Sequence, residues 1–148
     1  MTIQERLTEA MKEAMKAKDS LRLNTIRMAR TAIKNKEIDA RAELSGPEAI
    51  SVLSTLVKQR RESAEAYRSG GRDDLAAKEE AELLVIQEFL PSQLDEAGIR
   101  ELIEKAVLET GAASPKDMGK VMKVVSAQTT GRADGRLVSE LVKARLAG

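Results

Sequence analysis

The chain has 148 residues, 25 basic against 24 acidic, and neither cysteine nor histidine. Disulfides, zinc knuckles and thiolate nucleophiles are therefore excluded, and the commonest general base and metal ligand is missing. A near-zero net charge argues against a generic polyanion sink, and with Tyr67 and Phe89 as the only aromatics, base-stacking readers of single-stranded RNA are excluded too.

Ala, Leu, Glu, Lys, Arg and Met dominate the rest, all strong helix formers, and the apolar spacing is close to 3.6 almost throughout. Thr2 and Glu5 form a capping box ahead of a first helix bearing Ile3, Leu7, Ala10, Met11 and Ala14. Asp19 caps a second, with Leu23, Ile26, Ala29 and Ile33, that runs to about Arg41. Ser45-Gly46-Pro47-Glu48 opens a third, with proline in the first turn, where its missing N–H costs nothing. Ile50, Leu53, Val57 and Ala64 mark its buried side, and Ser69-Gly70-Gly71 ends it. Asp73 opens a fourth with Leu75, Leu83, Ile86 and Leu90.

Pro91 is the clearest boundary, because the residue before a proline is pushed towards extended geometry. Asp95 then starts a fifth helix with Ile99, Leu102, Ile103, Ala106 and Val107, ended at Gly111. Ser114 or Pro115 begins a sixth with Met118, Val121, Met122 and Val125, stopped by Gly131. Asp134 caps a seventh with Val138, Leu141, Val142 and Leu146. The expectation is an all-α protein without a sheet: a four-helix N-terminal part over 1–91 and a three-helix bundle over 92–148, with antiparallel neighbours. Met11, Met15, Met28, Met118 and Met122 sit at helical spacings and read as adaptable core filling. The polar N-terminus lacks an apolar h-region and no stretch approaches the ~20 apolar residues of a membrane span, so the expected location is cytoplasmic, with no membrane partner.

Charge is unevenly spread. Residues 2–41 hold ten basic against six acidic residues, 72–90 two against six, and 111–148 seven against three. On the sixth helix Lys116, Lys120 and Lys123 fall at i, i+4 and i+7, one face opposite the Met118–Val125 stripe. Arg132 and Arg136 flank the start of the last helix, where free N–H groups also favour an anion. These groups could hold backbone phosphates of a structured RNA, or they could form a solvated face, with Asp134 competing locally. Lys58, Arg60 and Arg61 make a second cluster that reads as ion pairs with Glu62 and Glu65 on the same helix. Arg22, Arg27, Arg30 and Lys34 dot the second helix, and the two long helices could pair through such charges.

No catalytic set emerges. Gly70-Gly71 lies between helices with no strand before it and reads as a turn. Gly119-Lys120 lacks the upstream glycine of a P-loop. Glu79, Glu80 and Glu82 lie on a heavily charged helix, where solvation is the default. No activated serine or threonine is visible, and independent catalysis and a cofactor are not expected.

The order Arg60-Arg61-Glu62-Ser63, Ala66-Tyr67, Gly70 to Leu75, Glu79, Glu82 and Phe89 to Leu94 resembles the YqeY proteins, which contain the GatB/YqeY domain. In the tail, Asp117 to Lys123 and Gly131 to Gly135, then Val138, Val142, Lys143 and Leu146, are similar to the C-terminal domain of GatB. The resemblance covers essentially the whole chain. It implies a four-helix part joined to a three-helix tail, and a link to the tRNA-dependent amidotransferase, whose GatB tail contacts tRNA. It also implies a family label of carbon–nitrogen ligase with glutamine as amide donor, without the parts that perform that chemistry. Carried over by position, Lys120, Lys123, Arg132 and Lys143 become candidate RNA contacts, and Gly119 is expected to pack closely against a neighbouring helix. The leading expectation is a tRNA-associated accessory module. The alternative is an adaptor docking on an aminoacyl-tRNA synthetase or an amidotransferase.

Overall fold

A computed structural model describes all of residues 1–148, and it is all-helical with no strand. Seven α-helices follow in order: α1 (Ile3–Ala17), α2 (Ser20–Ala40), α3 (Gly46–Ser69), α4 (Asp73–Gln87), α5 (Glu96–Thr110), α6 (Met118–Thr129) and α7 (Gly135–Ala147). The chain divides into two compact units, Met1–Pro91 and Ser92–Gly148. Each has its own apolar core.

Local chemistry sets most of the boundaries. Thr2 Oγ1 accepts from Glu5 N at 3.1 Å, but the Thr2 hydroxyl turns to the Glu5 carboxylate, so only the forward half of the expected capping box forms. Ser45 and Glu48 do form the reciprocal box, with Pro47 inside the first turn of α3. Asp19 and Asp95 cap α2 and α5 through their side chains. Helix α4 opens at Asp73 as expected, with Asp73 and Asp74 in its first turn, where the helix dipole favours negative charge. α1 and α2 each end on a left-handed residue, Lys18 and Arg41.

In the first unit α1 and α2 form one hairpin, α3 and α4 another, and Leu7, Ile26, Leu53 and Ile86 are almost wholly buried between them. Burying each such side chain is worth about 1.5–3 kcal/mol. Two polar clamps close the ends. Arg6 donates to the carbonyls of Glu88 at 2.9 Å and Phe89 at 3.4 Å, with its guanidinium 5.4 Å from the Phe89 ring centroid. The loop before α3 is pinned at Leu44, whose N–H donates to Glu37 at 2.9 Å and whose carbonyl accepts from Gln4 at 3.0 Å.

In the second unit α5, α6 and α7 enclose Ile99, Ile103, Val121, Val125, Val138 and Val142. The stretch entering this unit runs beside the turn before α7: Leu94 N donates to Arg132 O at 2.8 Å, and the Gln93 amide to Gly131 O at 2.8 Å. Gly131 holds φ +79, a conformation that suits glycine at the sharp end of α6.

Several expectations are corrected. Met15 is 49% exposed and Met28 43%, so they do not fill the core as Met11, Met118 and Met122 do. Arg60 finds its carboxylate on the next helix, with Nε 3.3 Å from Glu82 Oε2, because its face of α3 turns inward against α4. Arg22 pairs with Glu88 beyond α4, so the α2 charges do not bridge the two long helices as expected.

Candidate nucleic-acid interface

Helix α6 carries no acidic residue between Met118 and Thr129. Its inner side is set by Val121, Val125 and Thr129, which are buried at successive four-residue steps. The opposite side presents Gly119, Lys120, Lys123 and Ala127, all exposed. A Cβ added at Gly119 would meet nothing within 4 Å, so the expected close packing of this glycine against a neighbouring helix does not occur. The outer face of α6 is thus two lysines set among very small side chains.

Asp117 organises the entry to this face. Its Oδ2 accepts from Ala113 N at 2.9 Å and from Ser114 N at 3.3 Å, with the Ser114 end closing the short 3-10 turn Pro115–Asp117. These backbone donors, Ala113 first, hold its carboxyl below the ordinary carboxylate value, with the nearby Lys120 ammonium adding to the effect. Lys120 Nζ is 3.8 Å from Asp117 Oδ1, a loose contact in solvent.

The six candidate cations are not equivalent. Lys116 lies in the 3-10 turn and not on α6, so it is outside the helical face expected to unite it with Lys120 and Lys123. Those two remain on one face, and Lys123 makes no ion pair. Arg132 is half-buried, with Nε donating to Ser92 O at 3.1 Å and its carbonyl taken by Leu94 N. It clamps the start of the unit. Arg136 sits in the first turn of α7, where its N–H donates to the capping Asp134 carboxylate at 3.1 Å. An anion at that helix start would therefore meet a carboxylate already in place. Lys143 is exposed on α7.

Elsewhere in this unit Arg100 pairs with Glu96 and Arg145 with Glu104, while Lys105 lies 3.8 Å from Glu101, as loosely held as Lys120 by Asp117. A second cationic surface lies in the first unit, on residues that sequence reasoning read as pairing the two long helices. Arg27, Arg30 and Lys34 stand on α2 beside a groove of about 910 Å³ between α1 and α2. Their spacing of three and four was a visible signal, but the apolar floor beneath them was not.

The chain is thus all-helical and in two units, with a cationic outer face on α6. The chain belongs to the family of YqeY-like proteins, whose sequence profile matches residues 4–146. It is similar to altered inheritance of mitochondria protein 41, mitochondrial, of Eremothecium gossypii, 42% identical over 68% of this chain and 55% of that one. The proteins of the same name from Vanderwaltozyma polyspora and Lachancea thermotolerans are 44% identical over 58% of the chain and 35% identical over 89% of it. The chain spans 55%, 47% and 74% of the lengths of these three relatives. Their names place them in mitochondria, which overturns the expectation of a cytoplasmic protein; amphipathic helices and a missing h-region report on folding and secretion and are silent on compartment.

Proposed function

We propose that the Ser92–Gly148 unit binds the sugar–phosphate backbone of a folded RNA, with transfer RNA the candidate, and acts as an accessory factor without chemistry of its own. The observation that carries this reading is the outer face of α6, where Lys120 and Lys123 stand one turn apart with no carboxylate within the helix, the small Gly119 and Ala127 flank them, and Asp117 reaches Lys120 only loosely at 3.8 Å. Small neighbours let a phosphate chain approach the helix surface, and two ammonium groups about one turn apart match the spacing of successive phosphates. Lys116 and Lys143 extend the positive charge of the same unit. Transfer RNA is the candidate among folded RNAs because the sequence blocks Asp117 to Lys123 and Gly131 to Gly135 resemble the tail of GatB, an expectation from the sequence alone.

The test is binding of the full chain to unfractionated tRNA across a salt series, beside a Lys120→Glu/Lys123→Glu variant. Wild type is expected to bind with a salt slope about two units steeper than the variant, close to one per phosphate contact. Failure of wild type to bind at low salt, or equal binding by both, sinks the reading. Arg132 is left out of the variant because its guanidinium holds Ser92 O, so reversing it would disturb the fold as well as the charge.

A further inference from the structure

The groove between α1 and α2 is walled by Gln4, Leu7 and Met11 on one side and by three turns of α2 on the other. Arg27, Arg30 and Lys34 line the first part of the α2 wall, and none of them makes an ion pair. Arg30 has a single side-chain partner, the Met11 sulfur at 3.1 Å, a weak acceptor that leaves most of its fork of donors unused. Ile38 closes the far end and is 64% exposed, beside Glu37 and Glu43. The Glu37 carboxylate is anchored by Leu44 N–H at 2.9 Å, so its negative charge is fixed in the wall.

We propose that this groove docks an amphipathic helix of a protein partner. Its apolar stripe lies over the half-buried Met11 and the exposed Ile38, its acidic residues over Arg27, Arg30 and Lys34, and its neutral or basic end against Glu43. From Arg27 to Ile38 the wall is about 16 Å long, the length of three helical turns. Charge complementarity selects the occupant. Three unpaired cations on one side of an apolar floor favour a helix with carboxylates along one flank, as in helix-in-groove recognition. A nucleic acid fits less well, because the floor offers no aromatic to stack on and Glu37 and Glu43 oppose a continuous phosphate chain. This docking is independent of the RNA face on α6.

The experiment pans a phage-displayed library of 16-residue helical peptides against the full chain, with a Lys34→Glu/Ile38→Ser variant as the subtraction partner. Both positions are exposed, and circular dichroism and melting check that the variants keep the fold. The expected result is enrichment of amphipathic peptides with two or three acidic residues on one flank. A synthetic copy of the best binder should lose at least tenfold in affinity with Lys34→Glu or with Ile38→Ser, and nothing with Lys58→Glu on the exposed side of α3. No enrichment over the subtraction variant, or enriched peptides without acidic residues, overturns the proposal. So does self-association in sedimentation that Ile38→Ser abolishes, which makes a second copy the occupant. Loss of tRNA binding with Lys34→Glu would assign the groove to nucleic acid and overturn it as well.

Discussion

Asp117 shows how one carboxylate shapes a surface. Its two backbone hydrogen bonds hold the turn before α6, and they hold its carboxyl below the ordinary value of 3.8. A carboxyl depressed on folding contributes stability that is full above its unfolded value and is lost as pH falls through its folded one. Asp117→Asn should therefore melt below wild type at pH 7, and the gap should narrow as melts are repeated at pH values below 3.8. A gap that stays constant across that range would show that the carboxylate charge is not what holds the turn. Two residues on, Gly119 gives a prediction of opposite sign. An added Cβ meets open space, so Gly119→Ala should raise stability by about 0.5 kcal/mol in urea titration, since glycine costs up to ~1 kcal/mol in a helix. If RNA lies against this face, the same methyl group lowers tRNA affinity, and more stable but weaker binding is the expected split. The lysines of α6 were legible from their spacing, whereas the freedom around Gly119 was not, because one sequence cannot say whether a missing side chain makes room for a neighbour within the chain or outside it.

At the scale of elements, caps and apolar spacing carried most of the reading: Asp19, Ser45, Asp95 and Asp134 all cap helices through their side chains. The fold class follows from these local signals. What they do not contain is the partner of a long side chain. Arg60 has neighbouring glutamates on its own helix, yet it is 6% exposed and faces Glu82 of α4 and the Met28 sulfur of α2, at 3.1 Å. Which helix covers that face is a tertiary fact that i,i+4 arithmetic cannot supply. The same gap hid the α1–α2 groove. The Arg60–Glu82 pair is little exposed, 8% and 15% for the side chains, and Arg60 Nε is buried without a well-directed hydrogen bond. Removing one member leaves a charge with no compensation, so Glu82→Ala should cost about 3 kcal/mol in urea denaturation. Arg60→Met combined with Glu82→Leu should recover most of that loss, since replacing both charges with apolar groups of similar volume is close to neutral. A double variant as unstable as Glu82→Ala would mean that the hydrogen bonds of Arg60 to Leu56 O and Met28 matter more than its charge.

At the scale of the whole molecule, the distribution of aromatic residues decides what kind of RNA the second unit could recognise. Tyr67 and Phe89 both lie in the first unit, so Ser92–Gly148 has no ring on which a base could stack. Base-by-base reading of a single strand relies on such rings, worth about 1–3 kcal/mol per stacked base. On the proposed RNA-binding role, recognition without them would rest on phosphates, and a folded duplex-like RNA presents those at higher density and in a fixed array, with a steeper salt response than a single strand. The expected order of affinity is therefore folded tRNA above unstructured oligonucleotides of equal length, such as oligo(U), at matched salt. Folded RNAs of different sequence should bind within a few-fold of one another. Competition assays with a labelled tRNA against both kinds of RNA measure this directly. If the single strand competed as well as folded tRNA, flexible phosphates alone would suffice and the α6 lysines would be a general cationic surface. If tRNA won by tenfold or more, and Lys120→Glu with Lys123→Glu erased the advantage, the spacing of two ammonium groups on one helix would be reading the shape of the RNA.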